Sequence, residues 1–281
     1  MSNIIQVSKG HANLLALQKG FKKYKSNSTG WGIEMKYQKI QTLWKRQGTE
    51  GKHKGHIVPD EFSKEEFDNI RYWHVTEKID GTNIRIQLEE WDFDAMHKTK
   101  TLTIKGRTDA ANIPKKLKEF LEAKFTEKGM IEQFPDVKNI ILFGEGFGGY
   151  IQKAGKFYSD DCSFILFDVW IDGWWLDYGS VVEIADKLGI QCVPSLGLLS
   201  KDEIEEYVKS EPKSVVSKQE QIMEGVVCTS APMLLFRDGK PLRFKLKVND
   251  YKKIGELNRQ KAVSSLQEQE DNQTPKKTVQ E

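Results

Sequence analysis

The chain has 281 residues, 38% of them apolar, with 22 glycines besides, a composition that excludes wholesale disorder and suffices for a real hydrophobic core. Forty-three Lys and Arg against 41 Asp and Glu leave a net charge of +2, so overall charge points to no particular partner. Its distribution says more, because residues 1 to 60 carry eleven basic and three acidic side chains: either a surface for polyanions or a solvated Lys-rich extension.

In chain order, residues 1–34 read as a basic N-terminal extension, helical around Ala12 to Tyr24 and ending in the linker-like Ser26-Asn27-Ser28-Thr29-Gly30. A compact domain is expected over 35–267 and a disordered polar tail over 268–281. Within the domain, Asn83 to Leu88 alternates polar and apolar residues. Leu102 to Lys105, Ile140 to Phe143, Phe164 to Trp170, Val226 to Cys228 and Leu242 to Val248 are strand-like by length and β-branched or aromatic content. Pro114 to Lys128 predicts a helix with Leu117, Phe120, Leu121 and Phe125 on one face and Gly129 just past its end. Ser180-x-x-Glu183 and Ser200-x-x-Glu203 read as capping boxes opening two more helices, closed by Gly189 and Pro212, and a last helix is expected over 250–267. The mixture is α+β.

Cys162, Cys192 and Cys228 are widely spaced in apolar surroundings, which suggests neither a zinc site nor a disulfide framework and fits a reducing compartment. No apolar run approaches the roughly 18 residues that span a bilayer, and no signal-peptide pattern opens the chain, so a cytoplasmic protein without a membrane partner is expected, with organellar import, suggested by the acid-free residues 1–33, as the lesser alternative; a monomer is expected. His11, His53, His56, His74 and His97 show no metal-ligand spacing and read as structural or surface residues. Gly146-Phe147-Gly148-Gly149 lacks the ending of a P-loop and reads as a turn.

The chemistry concentrates in Glu77-Lys78-Ile79-Asp80-Gly81-Thr82-Asn83. Lys78 and Asp80, two apart at a strand end, point to one face while Ile79 points to the other, and the glycine lets the backbone turn against a ligand. Arg107, then Leu142-Phe143-Gly144-Glu145-Gly146, Phe167-Asp168, Glu224-Gly225-Val226-Val227 and Phe244-Lys245-Leu246-Lys247 follow. Taken alone, each is an ordinary strand or turn. Their order resembles the collinear motifs of the covalent nucleotidyltransferases, the superfamily of polynucleotide ligases and mRNA capping enzymes. Asn83, where DNA ligases usually carry Arg, and Phe147-Gly148 followed by Ile151-Gln152-Lys153 resemble the RNA ligases related to the second RNA ligase of phage and the kinetoplastid editing ligases. Asp80 departs from the His that members of that type often carry there.

The resemblance implies an adenylation domain of antiparallel sheets flanked by helices, and an ATP-dependent RNA ligase that uses Mg²⁺ or Mn²⁺. It would join 5′-phosphate and 3′-hydroxyl ends, single-stranded, duplex or nicked, through a lysyl-AMP intermediate and an adenylylated 5′ end. Lys78 is then the nucleophile, Glu224 the metal ligand, Glu145 the ribose contact and Phe167 the adenine-stacking ring. Asp168 supports the site, Arg107 and Asn83 touch ribose or phosphate, and Glu77 and Asp80 line the nucleotide. A free lysine near pKa 10.4 is unprotonated in only about one molecule in 2,500 at pH 7, a handicap of roughly 4.6 kcal/mol. Lys245 and Lys247, two apart on one strand face, are expected to lower it by like-charge repulsion and to neutralise the α-phosphate. Only 34 residues follow Lys247, fewer than an OB domain needs, so the basic region before Asp60 is expected to grip the polynucleotide. A minimal DNA ligase, an inactive nucleic-acid-binding relative and a GTP-using capping enzyme are the alternatives.

Overall fold

The computed structural model describes residues 35–48, 55–94, 97–149, 151–152 and 155–255. The expected N-terminal extension with its helix and linker, the polar tail, the last helix beyond 255, His11, His53 and Lys153 lie outside the described residues.

Two sheets and their helices make up the fold. The first has the order β1 (Gln41–Thr42), β13 (Arg243–Lys247), β12 (Gly225–Ser230), β4 (Trp73–Lys78) and β11 (Ser195–Leu199). The second runs β10 (Gln191–Cys192), β8 (Ser163–Ile171), β7 (Asn139–Phe147), β5 (Thr82–Asp94) and β6 (His97–Gly106), with β9 (Trp174–Trp175) against β8. A hairpin of β2 (Trp44–Arg46) and β3 (Ile57–Phe62) stands beside the first sheet. Pairings are antiparallel except β1 with β13 and β10 with β8, so the α+β architecture of mostly antiparallel sheets holds.

The first sheet alternates between a buried and a half-buried face, whereas the central strands of the second are buried on both. On the first, Trp73, Val75, Val226, Cys228, Phe244 and Leu246 pack against Ile204 and Val208 of the helix Lys201–Lys209. On the second, Ile84, Ile86, Leu88, Ile140, Leu142 and Leu166 pack against Leu117 and Leu121 of Lys115–Lys124 and Val181 and Ala185 of Tyr178–Leu188. At about 1.5–3 kcal/mol for each large apolar side chain taken out of water, these two clusters hold the domain together. The opposite faces of both sheets are left to line the space between them, which is where the site forms.

Local structure departs from expectation at the helix ends. The single helix predicted from Pro114 to Lys128 divides into Lys115–Lys124 and Glu127–Gln133, because Thr126 adopts an extended conformation and its hydroxyl accepts the amide of Gly129, making it the N-cap of a second helix. Gly129 therefore sits inside a helix and terminates none. The helix predicted to open at Ser180 is capped by Asp177, whose carboxylate accepts the Ser180 amide, and runs Tyr178–Leu188 before Gly189 closes it in the left-handed region. The Ser200 and Glu203 side chains form the expected reciprocal box. A helix over 248–255 follows β13 within the described residues. Of the turn expected over Gly146 to Gly149, Gly148 and Gly149 turn, at φ 86 and 54, while Gly146 and Phe147 belong to β7. No helix among the described residues is long and apolar enough to cross a membrane.

Candidate active site

Strand order decides which distant residues meet. Gly225 on β12 pairs with Lys78 on β4 on one side and with Lys247 on β13 on the other. Glu224, immediately before Gly225, is thereby placed between two lysines. Lys78 Nζ donates to Glu224 Oε2 at 2.6 Å, and Lys247 Nζ lies 2.5 Å from Oε1. Only glycine fits at 225, since a Cβ there would lie 2.0 Å from the Leu246 carbonyl oxygen. The same ladder sets Thr76, Val227 and Lys245 in register on the free face of the sheet.

These residues form one wall of a cavity of about 790 Å³, within the range of small-molecule sites. The second sheet forms another wall, where Asn83 pairs with Glu145 across β5 and β7. The loop after Lys78 passes close to that wall: a Cβ on Gly81 would lie 2.3 Å from the Gly146 carbonyl oxygen and 2.8 Å from Glu145 Cγ. Gly81 thus brings Lys78 and Glu145 into one space. Gln152 donates from Nε2 to the Gly81 carbonyl at 3.3 Å, fixing the loop from the outside.

A register shift between Phe143 and Gly144 on β7 leaves Phe167 as the extra residue of β8, so the consecutive pair Phe167 and Asp168 both turn to the cavity side. Asp168 is buried and bound bidentately by Arg243, with the Tyr37 hydroxyl donating to the same carboxylate. Tyr37 also packs its ring 5.0 Å from that of Phe167 and borders the cavity.

The electrostatics follow from burial and crowding. Burial, helped by the positive charges of Lys78 and Lys247, pushes the Lys245 ammonium down to about 8. Burial pushes the Glu145 carboxyl up to about 8, with Glu224 and Asp80 adding to the rise and Lys78 opposing it. Asp80 is raised for the same reasons, burial first and Glu224 second. The Oδ1 of Asn83 is buried without a hydrogen-bond partner, an orphaned acceptor at the cavity wall.

Nearly every residue singled out from the sequence lies at this site: Lys78, Asn83, Arg107, Glu145, Phe167, Asp168 and Lys245 line the cavity, and Asp80, Glu224 and Lys247 crowd its floor electrostatically. One reading is corrected. Glu77 borders the cavity, but its side chain is 2% exposed and its carboxylate is held by the Ser214 hydroxyl at 2.5 Å and the Val215 amide at 2.9 Å. Alternation along β4 turns that carboxylate to the face opposite Lys78. Lys78 has Glu224 as a counter-ion, and burial and like charge lower the Lys245 ammonium.

Sequence reasoning missed Tyr37, Arg243 and His74. Arg243 was within reach, since it precedes Lys245 by two on a strand and so shares its face. Tyr37 carries no local signal, because its partner Asp168 is 131 residues away. His74, read as structural or surface, borders the cavity, donating to or accepting from Ser195 Oγ at 2.8 Å, with its ring 4.4 Å from that of Tyr178.

Among the described residues no group of three or more His, Cys, Asp or Glu side chains converges as a metal cage. The carboxylate of Glu224, beside the cavity floor, is oxygen chemistry that could hold a divalent ion.

A family model described as RNA ligase matches residues 71–248. Among solved structures, a variant of Naegleria gruberi RNA ligase without ligand is 21% identical over 66% of this chain and 52% of that chain, with a TM-score of 0.45. A variant of that protein with AMP and manganese is 20% identical over 66% and 53%, with a TM-score of 0.44. Another, with ATP and manganese, is 18% identical over 82% and 61%, with a TM-score of 0.47. The chain thus spans about half the length of the first of these, at 52%. No curated protein matches.

Proposed function

The chain belongs to the RNA ligase family, and from that premise we propose that it joins a 5′-phosphate to a 3′-hydroxyl of RNA at the expense of ATP, through AMP carried on Lys78. The observation that carries the reading is the placement of Lys78: its amine stands at the floor of a nucleotide-sized cavity, with one carboxylate beside it and two further lysines around that carboxylate.

Each residue has a part in this reading. Phe167 supplies an apolar face for adenine, and Glu145, held neutral near pH 7 by burial, hydrogen-bonds the ribose hydroxyls. The orphaned Asn83 acceptor finds its donor on the bound nucleotide, and Arg107, at the exposed rim, meets ribose or phosphate. Lys245 and Lys247 offset the charge that builds on the α-phosphate as the amine attacks. Glu224 accepts from Lys78 Nζ and thereby fixes the direction of the amine that attacks the α-phosphorus. Mg²⁺ or Mn²⁺ held by Glu224 would supply charge neutralisation for the polyphosphate. Asp168, Arg243 and Tyr37 hold the cavity wall in shape.

RNA is gripped, in this proposal, by the basic region before Asp60, of which Lys39 and Arg46 are described residues beside the site. The test is sealing: incubated with ATP, a divalent ion and a nicked duplex carrying a 5′-phosphate, the protein is expected to lengthen the nicked strand and to accumulate an adenylylated 5′ end early in the reaction. Sealing only when the strand on the 3′-hydroxyl side is DNA would overturn the RNA assignment.

A further inference from the structure

Six large apolar side chains stand exposed among the described residues, and four of them, Tyr72, Leu198, Leu234 and Leu235, gather at one end of the first sheet. Strand pairing brings them there. Tyr72 immediately precedes β4, and its carbonyl accepts the amide of Ala231, just past the end of β12. On the other side of β4, Leu198 of the edge strand β11 pairs with His74. Leu234 and Leu235 belong to the loop from β12 to β13, where the Leu234 amide donates to Ser230 Oγ at 2.8 Å and its carbonyl accepts the Leu242 amide at 2.8 Å. Pro232, in the same loop, is exposed as well. Single apolar side chains scattered over a surface are ordinary, whereas a contiguous group marks an interaction surface. Leu198, Pro232 and Met233 also line the large cavity, so the patch continues to the edge of that space.

The described chain begins beside this patch. Arg85 Nη1 donates to the Met35 carbonyl at 2.7 Å, and Gln38 Nε2 donates at 2.9 Å to the carbonyl of Pro241, in the loop that carries Leu234 and Leu235. Trp175 Nε1 holds the same loop through the Gly239 carbonyl at 3.1 Å. Thirty-four residues precede Met35, and their sequence complements the patch. Leu14, Leu17, Phe21 and Tyr24 recur at the spacing of one helical face, Lys19, Lys22 and Lys23 fall outside that face, and residues 1–33 contain no acidic side chain. We propose that the segment from Leu14 to Tyr24 docks on the patch as an amphipathic helix, laying its apolar face on Tyr72, Leu198, Leu234 and Leu235 and turning its lysines outward. Docked there, it closes the cavity edge formed by Leu198, Pro232 and Met233. A helix of eleven residues is marginal alone in water, and burial against the patch supplies what it lacks. Ten residues separate Tyr24 from Met35, a reach of about 35 Å at full extension. The patch runs across β12, β4 and β11, two strand spacings or roughly 10 Å, so the connection is long enough to span it.

The experiment compares hydrogen exchange, read by mass spectrometry, in the full chain and in a Leu17→Asp, Phe21→Asp double variant whose folding is checked by thermal melting. Amides of residues 196–199 and 233–236 are expected to exchange roughly fivefold or more faster in the variant, while those of β7 stay unchanged. A second readout does not depend on the variant. With a benzophenone-bearing phenylalanine at position 21, irradiation of the dilute chain is expected to form an intramolecular cross-link to residues 196–199 or 231–236. Exchange unaffected by the substitutions, or cross-links that fall elsewhere, would overturn the docking. Protection that appears only as the chain concentration rises and dimers form would overturn it in favour of a second copy, and protection that appears only on addition of RNA would overturn it in favour of RNA. Neither readout uses ATP or the labelling of Lys78, so failure here leaves the ligase reading standing, and failure of that reading leaves the docking untouched.

Discussion

Lys78 and Lys247 hold opposite oxygens of one carboxylate, the first 2.6 Å from Glu224 Oε2 and the second 2.5 Å from Oε1. One negative charge therefore organises two cations contributed by strands that do not touch each other, with β12 between them. Replacing that charge by an amide leaves Lys78 and Lys247 facing each other uncompensated. Glu224→Gln is expected to lower the rate of lysine adenylylation by roughly 100-fold or more. It should also destabilise the folded protein by about 1–2 kcal/mol, less than loss of one partner from a fully buried pair because both lysines are part-exposed. Single-turnover labelling and a urea titration read the two effects separately, and an unchanged labelling rate would contradict the role given to Glu224.

Glu145 makes stability depend on pH in a defined direction. Its carboxyl is raised from 4.5 to about 8, chiefly by burial, so the folded chain keeps a proton over a range where the unfolded chain has lost it. The stabilisation from this group is complete below the lower value and is lost as pH rises through the upper one. Glu145→Gln cannot ionise. Its melting temperature is expected to match the parent's near pH 5 and to exceed it by roughly 3–6 °C at pH 8.5. Near pH 7 the same variant keeps the acceptor and donor that the neutral carboxyl offers to ribose, and should need ATP within about threefold of the parent for half-maximal labelling.

The Asp168, Arg243 and Tyr37 cluster separates charge from hydrogen bonding. Asp168→Ala leaves a fully buried guanidinium without its counter-ion and is expected to cost about 3–5 kcal/mol in urea unfolding. Tyr37→Phe keeps the ring against Phe143 and Phe167 and removes only the hydroxyl, at about 1 kcal/mol. Equal losses for the two variants would show that the ion pair is not the dominant contact.

Glu77 tests the correction made by strand alternation. Its carboxylate serves Ser214 and Val215 on the face of β4 opposite Lys78. Glu77→Gln is therefore expected to lose about 1 kcal/mol of stability and to label Lys78 within roughly threefold of the parent rate. A labelling loss as deep as that of Glu224→Gln would return Glu77 to the nucleotide site.

The parts legible in the sequence are those whose signal is local. Lys78 with Asp80, and Lys245 with Lys247, announce shared strand faces by their spacing of two, and the Ser200 box announces its helix start. What escaped depends on contacts made through space. Thr126 caps a second helix only because the chain turns after Phe125, and Asp177 takes the N-cap place by accepting the amide of Ser180, which leaves Ser180 inside the helix. Arg46 meets Asp250 across 204 residues, and nothing near either position says so. The bulge that turns both Phe167 and Asp168 to one side is likewise invisible in an apolar run that reads as plain alternation.

The central claim is that the amine of Lys78 takes AMP from ATP. The most direct measurement is incubation of the full chain with ATP or GTP labelled at the α-phosphate and a divalent ion, followed by a denaturing gel. Label that comes from ATP, survives denaturation and vanishes in Lys78→Ala is the predicted result. Label that persists in Lys78→Ala, or that comes from GTP alone, would contradict it.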